Sequence, residues 1–224
     1  CSPFYVMRSF MPDEVTALKA QRRKRNRVNV FLDGDYAFSL QRILAGKLRV
    51  GQELTEEEIA DLKAKDVREM AYERSLHYLS YRPRSVWEMR QYLQKKGVDE
   101  VTIDEVLQRL SKAGFVDDVE FAQFWVENRK RHRPRGPWAL RDELRRKGVP
   151  NDVIEQVLED EDLEQKKGAT QVAEKKLRRL RGLDERTFRR RMWGYLKRRG
   201  FDYEICRQVT DHFWEIASEE EARQ

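Results

Sequence analysis

A six-residue stretch occurs twice in this chain, 51 positions apart, as "RPRSVW" over residues 82–87 and as "RPRGPW" over residues 133–138. Each copy is followed by a short charged segment and then by a glycine, Gly97 or Gly148, at the same offset. A third glycine, Gly200, follows 52 positions after Gly148. A fixed period of about 50 residues is typical of repeat proteins, in which neighbouring units bury apolar surface that no single unit can bury alone. The sequence therefore predicts three tandem repeats.

Each repeat shows the hydrophobic period of helices and predicts a three-helix unit. In the first repeat, helix one is predicted over 67–80, and helix two begins after Ser85 with Glu88 at the capping-box position. The glycine after helix two suits the left-handed position that ends a helix. In the second repeat, Pro137 occupies the first position of helix two, where its missing N–H costs nothing. Pro150 stands where the other repeats have aspartate, so we expect that helix start to differ.

Residues 28–40 follow a period of two, which is typical of β-strands. Asp33-Gly34 predicts a two-residue type I′ turn, because both central positions of that turn need positive φ. The apolar residues that follow this period are Val28, Val30 and Leu32 before the turn, and Tyr36, Phe38 and Leu40 after it. The preceding segment "EVTALKAQ" is a candidate third strand, and a short helix over 41–48 is expected to cover the hairpin.

These patterns together predict a mainly α-helical protein, with tandem three-helix repeats in an elongated, curved array after a small N-terminal β-hairpin region. Thr55 and Glu58 form a capping box that starts the helical part. We assign five segments: the hairpin region 1–54, a linker helix with the first repeat 55–116, the second repeat 117–162, the third repeat 163–217, and a charged tail 218–224.

Composition limits the functions that are open to such a fold. Charged residues make up 38% of the chain and the mean hydropathy is −0.88, so the apolar residues are concentrated at the patterned positions. No apolar run reaches the ~20 residues of a membrane span. No secretory signal is visible, so we expect a cytoplasmic protein. Cys206 falls at an apolar repeat position and is expected to be a buried thiol.

The sequence contains no recognisable catalytic, metal-binding or cofactor-binding motif. It lacks a phosphate-binding loop, a Gly-x-Ser-x-Gly turn and a paired Cys-x-x-Cys. The three histidines, His77, His132 and His212, fall in three different repeats. Acidic pairs fall at helix starts, where capping explains them. We therefore expect no enzymatic activity, no metal ion and no cofactor.

Clusters of basic residues are the main functional signal in this chain, whose net charge is +6. They indicate contact with phosphate groups or with a carboxylate-rich protein surface, against the alternative of a solvated basic face. Trp87 and Trp138, at equivalent repeat positions, are candidate anchors for a partner, or else packing residues at the corners. A further basic run, 22–27, precedes the hairpin. The candidate partner-binding residues are Arg82, Arg84, Arg129, Arg131, Arg133, Arg135, Arg178, Arg179, Arg190, Arg191, Arg198 and Arg199.

In the third repeat, the direction of the arginines follows from the helical period. The buried side of helix two is defined by apolar residues spaced four apart: Phe188, Met192 and Leu196. Successive residues on a helix are separated by about 100°. Arg189 should therefore lie near the edge of the buried side, whereas Arg190 and Arg191 should point into solvent.

Four stretches in order resemble the bacterial RecX regulatory proteins: "YLSYRPRSVWEMRQYLQKKGV", "VLQRLSKAGFVDDVEFAQFWVENR", "GPWALRDELRRKGV" and "LDERTFRRRMWGYLKRRGFDYEICRQV". The similarity covers residues 76–213 and, more weakly, the hairpin "NVFLDGDYAFSL". The resemblance implies a protein that binds the RecA recombinase filament in its groove and inhibits the ATPase, strand-exchange and co-protease activities of RecA. The basic run 22–27 and the acidic tail "SEEEARQ" have no counterpart in what the resemblance implies.

Two other classes of function stay open on the sequence alone. One is a DNA-binding module that applies a basic face or a helix-turn-helix unit to single- or double-stranded DNA. Against it, the third helices "TIDEVLQRL" and "DVIEQVLED" are acidic or mixed in charge. The other is a scaffold that binds a different protein. In each case we expect a monomer with no membrane partner.

Overall fold

The computed structural model describes residues 12–23, 26–159 and 161–222, and the side chains of these residues except 161–164 and 220–222. Lys24 and Arg25 of the basic run, and the last two residues of the charged tail, lie outside the described residues. The chain divides into two compact units, Cys1–Tyr81 with Leu93–Lys112 and Arg82–Tyr92 with Ala113–Gln224. Among the described helices, none combines the length and the apolar character needed to cross a membrane.

The first unit begins with a four-stranded antiparallel sheet in the order β3-β2-β1-β4. Its strands are β1 (Asp13–Ala20), β2 (Arg27–Leu32), β3 (Asp35–Gln41) and β4 (Glu53–Leu54). The predicted hairpin is β2–β3, and Asp33 and Gly34 at its turn have φ values of 50° and 93°. These are the positive φ angles that a type I′ turn requires. The predicted third strand is β1, and the predicted short helix is α1 (Arg42–Ala45).

The hairpin departs from the predicted period of two at one point. Val30 pairs with Phe38, but Phe31 pairs with Tyr36, so that β3 has one extra residue opposite β2. This bulge turns Tyr36 away from the face of Phe38, and the Tyr36 side chain is 58% exposed. Its ring meets that of Phe31 edge-on at 6.0 Å. The continuous period through Tyr36 and Phe38 was therefore a wrong prediction, because an inserted residue reverses the alternation of a strand.

The sheet packs against the start of the long helix α2 (Glu56–Leu79). The predicted capping box is confirmed, because the Thr55 hydroxyl accepts the Glu58 N–H while the Glu58 carboxylate accepts the Thr55 N–H. Ile59, one turn into the helix, shares a buried core with strand residues such as Val30 and Leu40. The beginning of the helical part is thus packed into the core of the sheet.

α2 is one helix of 24 residues, whereas the sequence predicts a linker helix followed by a separate helix over 67–80. The predicted break is wrong, because the stretch contains neither Gly nor Pro to interrupt it. The middle of α2 is tied to the sheet by Asp66, which is 6% exposed. Its carboxylate accepts hydrogen bonds from the Gln41 N–H at 2.6 Å and from the Arg27 guanidinium at 2.7 Å. Arg27, from the predicted basic run, therefore has a structural role.

Helix α3 (Val86–Lys95) is followed by α4 (Glu100–Lys112), which packs on α2 within the first unit. Asp99 caps α4 by accepting the Thr102 N–H at 2.9 Å. Arg109 pairs with Glu69 at 2.6 Å, and its guanidinium lies 3.7 Å from the centre of the Tyr72 ring. The buried residues of α4 include Ile103, Val106, Leu107 and Leu110.

The second repeat consists of α5 (Asp118–His132), α6 (Pro137–Arg146) and α7 (Asn151–Leu158). Asp117 caps α5 by accepting the Val119 and Glu120 N–H groups, and Pro137 starts α6 as predicted. Pro150 precedes α7 without a side-chain cap, so this helix start does differ from that of α4. The core of the repeat is formed by Phe121, Ala122, Val126, Leu140, Leu144, Val149, Ile154 and Leu158.

The third repeat consists of α8 (Glu161–Leu177), α9 (Glu185–Lys197) and α10 (Tyr203–Ala222). Asp184 caps α9 by accepting the Thr187 N–H at 3.0 Å. Cys206 is buried as predicted, and this burial raises the pKa of its thiol to about 11. The core of the repeat includes Ala169, Val172, Ala173, Leu177, Phe188, Met192, Leu196, Phe201, Val209 and Phe213.

Candidate partner-binding surface

Helix α9 places the arginines of the third repeat in two different environments. Its buried side is formed by the predicted residues, Phe188, Met192 and Leu196. Arg190 and Arg191 lie on the opposite side and are exposed, which confirms the predicted orientation. Arg189 is half-buried and pairs with Asp211 and, at 2.7 Å, with Glu185. The hydrogen bond from Arg189 to Glu185 also raises the pKa of the Arg189 guanidinium.

Seven of the predicted arginines are exposed, and we call them the exposed arginine set. Arg131 is paired with Glu127 at 2.8 Å, but both side chains are mostly exposed. Such surface pairs contribute little stability and are readily exchanged for other partners. The exposed arginine set comprises Arg131, Arg133, Arg178, Arg179, Arg190, Arg191 and Arg198.

The other five predicted arginines are half-buried: Arg82, Arg84, Arg129, Arg135 and Arg199. Arg82 donates two hydrogen bonds of 2.9 Å to the Glu88 carboxylate, and Lys147 donates a third of 2.7 Å. Burial alone would raise the pKa of Glu88, but these hydrogen bonds outweigh burial and lower the pKa to about 2. Glu88 therefore stays ionised and holds both cations in place.

The second Arg-Pro-Arg corner is organised around a different carboxylate, that of Glu143. It accepts hydrogen bonds from Arg129 Nε at 2.7 Å and from Trp125 Nε1 at 2.9 Å. Arg135 Nε lies 3.6 Å from the other carboxylate oxygen. The Arg129 guanidinium also lies 4.7 Å from the centre of the Trp125 ring. Two of the predicted partner-binding arginines at this corner thus have partners inside the repeat.

The first corner docks onto the second repeat at the end of α6. The Ser85 hydroxyl donates a hydrogen bond of 2.6 Å to the Lys147 carbonyl, and it also caps α3 by accepting the Glu88 N–H. Gly148, with φ of +72°, lies directly against Trp87, so that a Cβ at this position would lie 2.3 Å from Trp87 Cβ. The Trp87 side chain is nevertheless 45% exposed. Trp87 therefore packs at this joint and also offers surface to solvent.

The second corner docks onto the equivalent end of helix two in the third repeat, through different contacts. The Gly136 N–H donates to the Arg199 carbonyl at 2.9 Å, and the Trp138 N–H donates to the Gly200 carbonyl at 3.3 Å. A Cβ on Gly200 would lie 2.6 Å from Ala139 Cβ. The Trp138 side chain is 65% exposed. The repeated hexapeptide is thus a joint, in which a corner of one repeat meets the glycine turn that ends helix two of the next.

The carboxylates that hold the corner arginines were missed at the sequence level. Glu88 was assigned only as a capping residue, and Glu143 was not singled out. Lys147, the second cation at Glu88, lies 59 positions away in the chain. No spacing within one repeat could indicate that pairing, because it crosses from one repeat to the next. Within the described residues, no three His, Cys, Asp or Glu side chains are grouped so as to hold a metal ion.

The fold and this surface define the class of protein: a tandem array of three-helix repeats, joined corner to glycine, with exposed arginines on the second and third repeats. Four family models match the chain in order. The model of the regulatory protein RecX N-terminal domain matches residues 13–55. The models of the first, second and third RecX three-helix domains match residues 71–110, 117–158 and 164–210. The chain belongs to the RecX family of regulatory proteins.

Individual relatives agree with this assignment. The regulatory protein RecX of Bacillus pumilus is 34% identical over 210 residues, which cover 92% of this chain and 80% of that protein. RecX of Bacillus subtilis is 32% identical over 200 residues, covering 88% of this chain and 76% of that protein. A crystal structure of a regulatory protein RecX matches with a TM-score of 0.74 at 28% identity, over 89% of this chain and 99% of the other. RecX from Lactobacillus salivarius shares the fold, with a TM-score of 0.61.

Proposed function

We propose that this protein is a non-catalytic regulator that binds the RecA recombinase filament in its groove and inhibits the ATPase, strand-exchange and co-protease activities of RecA. The observation that carries the proposal is the ordered match of all four RecX domains along residues 13–210. A filament groove is an extended surface, and a tandem array offers contacts along its length.

The exposed arginine set supports a partner surface that is rich in carboxylate or phosphate. Exposed ion pairs within a protein contribute at most about 1 kcal/mol each, so fold stability poorly explains the accumulation of arginine on the third repeat. Arginine forms bidentate hydrogen bonds with either type of anion. We assign the contact with the filament to this set, with Trp87 and Trp138 as further, apolar contacts.

A titration of the DNA-dependent ATPase of the cognate RecA tests the proposal. Adding this protein to preformed filaments should lower the ATPase rate at or below the stoichiometry of RecA, with parallel losses of strand exchange and co-protease cleavage. Unchanged rates in all three assays at micromolar protein would contradict the proposed inhibition of RecA. Hydrolysis of ATP or cleavage of DNA by the purified protein alone would contradict the non-catalytic assignment.

A second candidate is direct binding to DNA through the same arginines. The exposed side chains of Arg190, Arg191 and Arg198 favour it, since each can contact phosphate. A gel-shift assay without RecA, together with a pull-down of RecA with and without nuclease, separates the two functions. Retention of RecA after nuclease treatment indicates a protein contact, whereas loss of RecA indicates a DNA bridge.

A further inference from the structure

A cavity of about 220 Å³ lies in the second unit, between the second Arg-Pro-Arg corner and α8. Its apolar lining consists of Pro134, Pro137, Leu140 and Phe201. Pro134, Pro137 and Leu140 are buried within the corner and α6, and Phe201 follows the glycine turn of the third repeat. The cavity is therefore formed by residues that the joint between the second and third repeats already fixes in position.

The ionisable groups around this cavity are of one sign. Lys130, Arg131, Arg135 and Lys167 line it, and the described lining includes no Asp or Glu side chain. Arg135 lies 3.6 Å from Glu143 and Arg131 pairs with Glu127 at 2.8 Å, but neither of these carboxylates lines the cavity, so every charged group of the described rim is cationic. An occupant that combines an apolar group with adjacent negative charge would match both parts of the cavity.

Gly168 opens the cavity from the side of α8. It lies inside the helix, where glycine is less favourable than alanine by about 1 kcal/mol. A Cβ at Gly168 would lie 3.6 Å from Pro134 Cβ and 3.7 Å from Phe201 Cε1, which is ordinary van der Waals contact. Packing against these neighbours therefore does not require glycine. A longer side chain at this position would extend into the cavity and fill it.

We propose that this cavity binds an acidic–apolar segment of a partner protein, with an apolar side chain inserted between Pro134 and Phe201 and flanking carboxylates on the cationic rim. The volume is below the roughly 300–1,000 Å³ of drug-sized ligand pockets and suits a single side chain. A nucleic-acid strand is less well matched, because the apolar lining is mostly proline and leucine, whereas single-strand binding sites stack bases on aromatic rings. The assignment rests on the proposed function in that it names a contact made by the regulator.

Fluorescence anisotropy with a labelled short peptide of alternating Asp/Glu and Leu/Phe tests the assignment without RecA. The wild-type protein should bind this peptide at least about tenfold more tightly than a matched peptide with Ser in place of Leu and Phe. Gly168→Leu, which fills the cavity, should weaken binding of the acidic–apolar peptide by about tenfold or more. Lys167→Glu, which reverses one exposed rim charge, should also weaken it while leaving the fold intact.

Gly194→Leu is the matched control, because Gly194 also lies inside a helix of the third repeat but does not line the cavity. It should leave peptide binding unchanged. Equal binding of both peptides, or full binding by Gly168→Leu and Lys167→Glu, would overturn the assignment. Displacement of the peptide by an oligothymidylate of about 15 nucleotides would instead identify a nucleic-acid site. Filament co-sedimentation of the wild type, measured separately, distinguishes failure of this site from failure of the proposed function.

Discussion

At the scale of single residues, Glu88 is an ionised carboxylate in a mostly buried site of the second unit. Its side chain is only 12% exposed and lies between Arg82 and Lys147, which come from the first and second repeats. A carboxylate in such a site must remain ionised, because removing one partner of a buried pair leaves the others without compensation. The charge of Glu88 therefore links the stability of the first joint to pH.

Glu88→Gln should lower the free energy of unfolding at neutral pH by about 3 kcal/mol, the value that corresponds to a pKa lowered from 4.5 to about 2. Because the folded-state pKa is depressed, the contribution is complete above pH 4.5 and is lost as pH falls toward 2. Urea unfolding of the wild type and the variant should thus converge in acid. Glu127→Gln, at an exposed pair, is the control and should change little at any pH. If the difference in unfolding free energy between the wild type and Glu88→Gln were the same at every pH, the charge of Glu88 would not link stability to pH.

Arg190→Glu combined with Arg191→Glu should weaken filament binding by about tenfold or more. The melting temperature should change by less than about 4 °C, since both side chains are exposed. The salt dependence of binding should also become less steep, because fewer charges are neutralised at the interface.

The control for this reversal is Arg145→Glu with Arg146→Glu, which changes the same charge at two exposed positions of α6. It should bind the filament nearly as the wild type does. If the α9 reversal unfolds the protein, those arginines are structural. If it binds with an unchanged salt slope, α9 faces away from the partner.

At the scale of elements, the two joints join equivalent positions through different donors, a side-chain hydroxyl at the first and backbone N–H groups at the second. Ser85 and Gly136 occupy equivalent positions, and each forms a hydrogen bond to a carbonyl at the end of helix two in the next repeat. Glu88 adds an ionic contact at the first joint, whereas its counterpart Ala139 packs against Gly200 at the second. The repeated hexapeptide therefore determines where one repeat docks on the next, and the residue after its tryptophan determines whether the added contact is ionic or apolar.

Gly148→Ala should lower the free energy of unfolding more than Gly97→Ala does. Both glycines have similar positive φ, of +72° and +74°, so both variants lose about 1 kcal/mol from the left-handed backbone. At Gly97 an added Cβ meets no atom within 4 Å in the described part of the chain, whereas at Gly148 it would lie 2.3 Å from Trp87 Cβ. Relieving that overlap should cost a further 1–3 kcal/mol or so.

Chemical denaturation gives the loss of unfolding free energy in each variant. The difference between the two losses reports how tightly Trp87 packs against Gly148. Equal losses in both would mean that Trp87 moves aside freely and contributes nothing to docking.

Local sequence signals made much of the fold predictable. Features that depend on contacts between distant segments could not be predicted from the sequence. The turn at Asp33-Gly34, the cap at Thr55 and the glycine after each helix two follow from the conformational needs of single residues. The continuity of α2 was missed because its weak amphipathic pattern marks no boundary. The bulge beside Tyr36 and the pairing of Glu88 with Lys147 depend on segments that meet only in the folded chain. The exposure of Arg190 and Arg191 was predictable, because three buried neighbours fix the rotation of α9.

At the scale of the whole molecule, the N-terminal sheet belongs to the same compact unit as α2 and α4. Asp66 and Ile59 join it to α2, through hydrogen bonds and through the shared core. The sequence by itself suggests a separable hairpin, because the period changes from two to that of a helix. The shared core favours the opposite expectation, since removal of the sheet would expose Ile59 and Leu62 of α2 to water.

A chain truncated to begin at residue 52 should therefore lose part of its helical circular-dichroism signal and unfold at a lower urea concentration. The second unit should keep a cooperative transition, because its described core draws on no residue of the sheet. A chain beginning at residue 12 retains every described strand and should behave as the full chain does. Full helicity and an unchanged midpoint in the shorter chain would identify the sheet as an accessory.

Each joint runs from the corner of one repeat to the glycine turn of the next repeat. Within the described part of the chain, the first repeat therefore has an unused glycine turn, whereas the last repeat lacks a corner. The unused turn is that of Gly97, where an added Cβ would meet no atom of the described residues within 4 Å and no described corner is docked. The missing corner corresponds to the connection before α9, "RLRGLD", which contains neither proline nor tryptophan. A second copy of the chain can thus offer a vacant turn but no matching corner. A repeat placed after the third would therefore require a new corner sequence in that connection, whereas a repeat placed before the first could dock its corner on the Gly97 turn.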